Sequence, residues 1–349
     1  MGKKPYKLFF ILPFFLGIVL LSYVWFFKQV LHGSEIENRH STLIKPSKEN
    51  VNEKLLILVW TWPFKETFPL DTCESHYKIS GCSLTADRSL LGEVDAVVFH
   101  HYDVMYSWDI PRGPRPHYQR WVWFNIEPPI VTVNLYIFDN LINMTMSYQE
   151  NSDIFLPYGY MKPLKEPQSF KIPTKSKLVA WVVSAWYSGT RRASYYEELK
   201  KHIDIDVYGR YHKKLSRDGF ERTLIQYKFY LAFENCEHRD YITEKLWSNA
   251  FITGLVPVVL GPPRENYERF IPPTSFIHVD DFSSPKELAQ FLLDLDKDNA
   301  KYEQYFSWRS KFVTVRELGW DSFYCKACRE LQQSKGYKAI ASVEKWFLT

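Results

Sequence analysis

KFYLAFENCEHRDYITEKLWSNAFITGLVPVVLG, residues 228–261, is the stretch around which the chain is organised. Its ends are short apolar runs, Phe229-Tyr230-Leu231-Ala232-Phe233 and Val256-Pro257-Val258-Val259-Leu260, each bounded by polar residues or glycine. Such runs are the mark of buried strands. Between them the spacing predicts a helix from about Asp240, an N-cap residue type, with Ile242, Leu246 and Ala250 at i, i+4 and i+8 packing on a sheet. Gly254 is a stop signal. Strand, helix and strand make a βαβ unit, whose crossover is right-handed.

Tyr241, Glu244 and Lys245 fall at i, i+3 and i+4, so a helix would put them on one surface. They lie at its N-terminal end, where free N–H groups and the helix dipole favour an anion. The preceding strand runs out into Glu234-Asn235, and open parallel sheets bind ligands beyond the carboxyl ends of their strands. A carboxylate, an amide, a phenol and an ammonium thus converge on one crevice. The bland alternative is an exposed Glu–Lys pair among ordinary surface polar groups.

Outward from this unit the same strand-to-loop rhythm recurs. Leu55–Trp60, Asp95–His100 and Arg120–Asn125 are apolar runs that break into Pro, Asn, Asp or His. Lys177–Ser184, Ile205–Tyr208 and Phe276–Val279 repeat the pattern, and Ser284-Pro285 caps a helix over Glu287–Leu295. Strands alternating with helices predict parallel α/β domains. The 349 residues suffice for two domains. A net charge of +4 suggests no nucleic-acid partner, and 17% aromatic content suits sugar stacking as well as packed cores.

FEN, DYITEKLWSNA and VPVVLG resemble the donor-binding signature of the α1,3/α1,4-fucosyltransferase family, and the likeness runs from Leu55 to the C-terminus. WFNIEPP, DVYGR, ERFIPP and FIHVDDF are most similar to the vertebrate Lewis-type enzymes. The resemblance implies a GT-B arrangement of two Rossmann-like domains facing a cleft. It implies inverting transfer of L-fucose from GDP-β-L-fucose to the 3-hydroxyl of N-acetylglucosamine in lactosamine-type glycans of glycoproteins and glycolipids, with the 4-hydroxyl left open. It also implies a Golgi membrane location and leaves a homodimer open.

The N-terminal end suits that location. Residues 1–7 carry a basic cluster, and residues 8–27 are an uncharged apolar run long enough for a bilayer. With no small-residue cleavage site this is a retained signal anchor, the tail cytosolic and the rest lumenal. Residues 28–54 form a polar stem. The expected domains are residues 55–161, on the acceptor side, and 178–349, the donor-binding domain followed by C-terminal helices, joined by the Pro-rich, charged linker 162–177. Asn143-Met144-Thr145 is an N-glycosylation sequon, and the family carries one at the matching place.

Disulfides are expected in a lumenal chain with five cysteines. Cys325-x-x-Cys328 lacks the partners of a zinc knuckle and the strand–helix setting of a redox motif. Among four cysteines three pairings are open by sequence. The resemblance implies Cys73 with Cys325 and Cys82 with Cys328. Some relatives place a further disulfide where this chain has Ala180 and Tyr227, so that bridge cannot form. Cys236 stands where many relatives have Ser and is expected to be a free, buried thiol.

Sugar transfer needs a base for the acceptor hydroxyl, positive charge for the departing diphosphate, and stabilisation of an oxocarbenium-like transition state. Glu127, in Asn-Ile-Glu-Pro-Pro at a strand end, matches the family's base. Lys245 and Arg192 would neutralise the diphosphate. Arg192 rather than Arg191 matches by its distance from Tyr195-Tyr196, and Arg191 is expected to be solvated. The resemblance gives donor contacts to Glu244, Asn235, Tyr241, Tyr230, Val182, Ser184 and Tyr158. It gives acceptor contacts to Glu66, where Gln is common, and to Tyr102, which follows His100-His101. Ala185 stands where relatives have Asn. Asp204/Asp206, Asp294/Asp296 and Asp296/Asp298 have the spacing of metal-binding Asp pairs but fall in polar faces and a strand start. With Lys and Arg present no metal is required, and a divalent ion such as Mn is at most stimulatory. A glycan-binding protein with a decayed site, supported by Ala185 and Cys236, and a same-fold transferase with another donor are the competing readings.

Overall fold

A computed structural model describes residues 54–316, 319–334 and 336–349. The expected tail and anchor, and all of the stem but Lys54, lie outside the described residues. Among the described residues no helix is long and apolar enough to cross a membrane. The first sheet holds β1 (Leu55–Val59), β2 (Cys82–Thr85), β3 (Ala96–His100), β4 (Arg120–Asn125), β5 (Met144–Ser147) and β6 (Ile154–Phe155). They pair in parallel in the order β2-β1-β3-β4-β5-β6. After β7 (Gly159–Pro163), the second sheet holds β8 (Lys177–Val182), β9 (Ile205–Tyr208), β10 (Tyr227–Phe233), β11 (Val256–Leu260) and β12 (Ile277–His278). These are parallel too, ordered β12-β11-β10-β8-β9.

Period-two alternation places each sheet between two cores. In β10, Phe229, Leu231 and Phe233 join Leu199 and the helix Pro285–Lys297 on one face. Tyr230 and Ala232 point the other way, onto Leu246, Trp247 and Ala250 of the helix Lys245–Ile252. The expected cap of the helix Pro285–Lys297 is present, with Ser284 Oγ accepting from Glu287 N.

The helix start expected at Asp240 is a miss. Asp240 has φ +61°, and its buried carboxylate accepts from Asn266 Nδ2 at 2.8 Å, Arg269 Nη1 at 3.0 Å and Glu150 N at 3.0 Å. The helix begins at Lys245 and is wound as a π-helix, a geometry that often marks functional sites. Tyr241 therefore precedes the helix and does not share its face with Glu244 and Lys245.

The C-terminal segment returns to the first lobe. Tyr324, Cys325, Ala327 and Cys328 of the helix Trp320–Gln333 pack on Ile57, Val59, Val122 and Phe124. Val343 and Phe347 of the helix Val343–Leu348 pack on the opposite face, against Leu58, Trp121 and Trp123. The first sheet thus takes much of its helical cover from the end of the chain. Two disulfides, Cys73–Cys325 and Cys82–Cys328, fasten it there, and Cys236 is free. A strand that was not expected, β13 (Phe312–Arg316), pairs antiparallel with β7, so the expected linker begins inside a small sheet.

Candidate active site

Both strand orders reverse beside the first strand of their lobe, between β1 and β3 and between β8 and β10. Crevices for ligands open at such switch points, outside the carboxyl ends. In the second lobe β8 runs out into Ser184 and Ala185, and β10 into Glu234 and Asn235. Arg192, in the first turn of the helix Arg191–Leu199, reaches across this point. Its guanidinium donates to Asn235 Oδ1, to the Ala185 carbonyl and, at 3.5 Å, to the Phe233 carbonyl. Ala185 thus serves through its backbone. Arg191 is not simply solvated, since it bridges Glu237 at 2.7 Å and Asp280.

Lys245 is buried. Its Nζ donates to Glu234 Oε2 at 3.0 Å, Thr243 Oγ1 at 2.9 Å and Glu244 Oε1 at 3.4 Å. Burial pulls its pKa down, but the two carboxylates outweigh it and hold the group above the usual lysine range. The Glu244 side chain is 53% exposed at the cleft. Desolvation there pushes its carboxyl up, but the Lys245 charge together with hydrogen bonds from its own backbone, Thr243 and Lys245 brings it below the usual carboxylate range.

Glu127 approaches from the first lobe, just past β4. Its loop is pinned: Asn125 Nδ2 donates to the Glu127 carbonyl at 2.8 Å, and Thr132 Oγ1 to the Pro128 carbonyl at 2.9 Å. Tyr158 OH donates to the Ile126 carbonyl at 2.5 Å. The half-buried carboxylate has no hydrogen-bond donor among the described residues. Burial raises its pKa, the Glu244 charge raises it further, and Lys245 pulls back only partly. Glu127 of one lobe therefore senses Glu244 and Lys245 of the other. Tyr241 is buried between them, its ring 6.1 Å from Tyr158 and 5.1 Å from Tyr148.

Beside Glu127, at the carboxyl ends of β1 and β3, lies an aromatic ledge. Phe64 is 4.8 Å from Tyr102 and 5.7 Å from Trp320 between ring centroids. Trp320 Nε1 donates to Glu66 Oε2 at 2.9 Å. His101 accepts from Trp123 Nε1 at its Nδ1 (3.0 Å), so its Nε2 carries the proton donated to the Val133 carbonyl at 2.8 Å. Burial lowers the His101 pKa to about 4, and both ring nitrogens are engaged within the protein.

With this geometry in place, comparisons with known proteins are decisive. Residues 172–346 match the model of the glycosyltransferase family 10 (fucosyltransferase) C-terminal region, and residues 52–159 that of the fucosyltransferase N-terminal region. The chain belongs to glycosyltransferase family 10. The 3-galactosyl-N-acetylglucosaminide 4-alpha-L-fucosyltransferase of Pan troglodytes is 49% identical over 299 residues, 84% of this chain and 80% of that one. The 4-galactosyl-N-acetylglucosaminide 3-alpha-L-fucosyltransferase of Homo sapiens is 46% identical over 322 residues, 90% of this chain and 84% of that one. A crystal structure of an alpha1,3-fucosyltransferase with GDP-fucose aligns with a TM-score of 0.53 at 18% identity, over 84% of this chain and 95% of that one. The fold is the two-lobed α/β fold of such transferases.

Other expected site residues of this family 10 chain are placed less simply. Ser184 is exposed and Val182 half-buried. Tyr230 is fully buried in the core, its hydroxyl accepting from Asn249 Nδ2 at 3.0 Å. Asn143 is also fully buried: its Oδ1 accepts from Trp121 N at 2.8 Å, and its Nδ2 donates to the Lys338 carbonyl at 2.6 Å. The paired aspartates are otherwise engaged: Asp206 binds Lys213 and Tyr227, Asp294 and Asp296 pair with Lys297 and Lys228, and Asp298 caps the next helix. Cys236 is half-buried, and burial pushes its thiol pKa up.

Glu234, Thr243, Tyr148 and His238 lie beside the candidate site and were not assigned contacts from the sequence. Tyr148 OH pairs with His238 Nδ1 at 2.8 Å, tying the donor loop to the first lobe. Only Glu234 left a trace in the sequence, as the first polar residue after an apolar strand.

Proposed function

We propose that this chain is an inverting transferase that moves L-fucose from GDP-β-L-fucose to the 3-hydroxyl of N-acetylglucosamine in lactosamine-type glycans. The observation that carries this reading is the placement of the half-buried Glu127 carboxylate, just past β4, facing the buried Lys245 ammonium and its Glu244 partner on the other lobe. Glu127 takes the proton of the acceptor hydroxyl as its oxygen attacks the anomeric carbon. The bond to GDP breaks on the opposite face, and the charge leaving with the diphosphate meets Lys245 and Arg192. One displacement with one inversion needs no covalent intermediate, so Cys236 has no part in it. A carboxyl raised by burial is the right kind of base near neutral pH.

Relatives named for transfer to the 3-position and to the 4-position are similarly distant, so both hydroxyls enter the test. The reading also includes donor contacts by Tyr158, Asn235, Tyr241 and Glu244, acceptor contacts on the Phe64–Tyr102–Trp320 ledge with Glu66, and a Golgi location with residues 8–27 as the anchor. It holds charge neutralisation by Lys245 and Arg192 to be sufficient without a metal ion. The deciding assay incubates the chain with GDP-fucose and type 1 or type 2 lactosamine, with and without chelator. Fucosylated product and released GDP are expected in both conditions. GDP release without acceptor dependence, or none at all, removes the reading, and loss that only metal restores removes the metal-free part.

A further inference from the structure

The Lys245 cluster contains a carboxylate that the transfer chemistry leaves unused. Glu234 follows β10 and is 2% exposed. Its Oε1 accepts from Thr243 N at 2.8 Å, and its Oε2 lies 2.8 Å from Thr243 Oγ1 and 3.0 Å from Lys245 Nζ. Thr243 Oγ1 in turn accepts from Lys245 Nζ at 2.9 Å. The threonine hydroxyl is thus relay and clamp, donating to the carboxylate while accepting from the ammonium. The backbone of Glu234 is fixed as well, its N–H reaching the Leu260 carbonyl at 2.7 Å. Space for the side chain comes from Gly261. A Cβ at Gly261 would stand 3.1 Å from Glu234 Cγ and 2.5 Å from Tyr267 OH. The glycine that ends VPVVLG is therefore matched to the glutamate of FEN.

We propose that Glu234 is a positioning residue of the transfer reaction: clamped by Thr243, it holds the Lys245 ammonium fixed and charged where the diphosphate departs. This rests on the reading of the chain as a GDP-fucose transferase. A lysine side chain is long and rotatable, and a buried ammonium without a counter-ion gives up its proton readily. Exposed Glu244 can anchor it only loosely, at 3.4 Å. Glu234 instead offers a rigid acceptor behind the ammonium, so that only the N–H held long by Glu244, at 3.4 Å, is left for a ligand to take over. The charged and titratable groups facing this pair are Glu244, Arg192, Glu127, Tyr241, Tyr158 and Tyr230, with Tyr267 behind Glu234.

Glu234→Gln tests the proposal, because its amide still accepts from Thr243 N but presents N–H rather than oxygen to Lys245. The variant loses the carboxylate that most strongly holds Lys245 protonated. Lys245 then loses its charge at lower pH, and GDP binding weakens at lower pH than in the wild type. With GDP itself as the probe, binding is followed calorimetrically on the full chain from about pH 6 to about pH 11, so that the window reaches the wild-type limb above the ordinary lysine pKa of about 10.4. At the acidic end the variant should bind within about threefold of wild type, with the basic limb displaced downward by about one pH unit or more. Turnover should fall roughly 10- to 100-fold, as expected for a misplaced catalytic group. A merely structural role would weaken binding at every pH and leave the limb in place, and that result overturns the proposal. Should Glu234→Gln not fold, Thr243→Val and Thr243→Ser replace it. The valine must displace the limb and the serine restore it, and an unmoved limb in Thr243→Val also overturns the proposal. Wild-type protein that binds no GDP at any pH removes the donor reading itself, a failure distinct from normal wild-type binding with an unshifted variant.

Discussion

The two halves of the cleft are built on opposite plans. On the donor side, Glu234, Asn235, Thr243, Glu244 and Lys245 fall within one short stretch, at the end of a strand and the start of a helix. Their polar atoms satisfy one another through Lys245 and Arg192. On the acceptor side, Phe64, Glu66, Tyr102, Glu127 and Trp320 come from separate elements, and Glu66 and Trp320 meet across 254 residues of sequence. There the backbone is also strained, with φ +51° at Phe64 and +64° at Lys65, values that non-glycine residues rarely adopt. A compact polar network fixes the half proposed to bind the donor. Scattered aromatic groups on bent loops form the half proposed to meet the glycan.

The largest effect expected from breaking this division is at Glu127. Glu127→Gln keeps the size and removes the base, so turnover should fall about 10²–10⁴-fold. GDP affinity should hold, since the donor groups lie in the other lobe. Turnover and GDP binding on one preparation decide the matter, and near-normal turnover would remove Glu127 from the mechanism. The pH profile sharpens the point. The Glu127 pKa is raised by burial and by Glu244, and a base works only when deprotonated. Activity should therefore be full above that raised pKa and disappear as pH falls through it, above the ordinary glutamate range. In Glu127→Gln this acid limb should vanish.

Next in size is the fastening of the C-terminal helix. Replacing Cys73 and Cys325 by Ser removes one tie between residues 252 apart. Loss of a native disulfide costs about 2–5 kcal/mol, so the melting temperature should drop clearly. Because the helix Trp320–Gln333 carries Trp320 to the acceptor ledge, acceptor KM should rise more than donor KM. An unchanged melting temperature would mean that the packing of Tyr324 and Ala327 suffices alone.

The donor side was legible because its chemistry is contiguous. The runs at residues 229–233 and 256–260 announced their strands, and Glu244-Lys245 announced a meeting of charges where the helix begins. What failed there was local: Asp240 looked like a cap, yet its carboxylate is spent on Asn266, Arg269 and Glu150 from distant segments. The return of the last helices to the first sheet was invisible to periodicity, which tells that a helix has an apolar face but not which sheet it covers. The acceptor ledge was least legible, because positive φ at Phe64 and Lys65 follows from tertiary contacts. Asp103 makes the main one, accepting from Phe64 N at 2.9 Å and pairing with His100 Nδ1 at 2.6 Å. Asp103→Ala leaves a buried N–H without its partner and should destabilise the chain by about 1–3 kcal/mol. Acceptor KM should rise while GDP affinity, measured calorimetrically, stays level. Equal losses on both sides would show that the halves are not independent.

Tyr102 carries the smallest expected effect and the most selective one. The residue is 42% exposed, and its ring lies 4.8 Å from that of Phe64 at a tilt of 43°. An exposed aromatic ring can pack on the apolar C–H face of a sugar without giving up internal hydrogen bonds. Aromatic pairs contribute about 0.5–1.5 kcal/mol beyond area burial, and a single exposed stacking contact should fall in the same range. With 1.4 kcal/mol per tenfold in affinity, Tyr102→Ala should raise acceptor KM by roughly 2- to 12-fold. The substitution is at the surface, so the melting temperature should move little. Type 1 and type 2 lactosamine measured in parallel should respond unequally, because one ring face cannot meet two linkages in the same way. Donor KM is the control. If acceptor KM is unchanged for both chains, the ledge is not where the glycan lies. If donor KM rises with it, Tyr102 acts through the Glu127 loop and the two halves of the cleft are coupled at their rim.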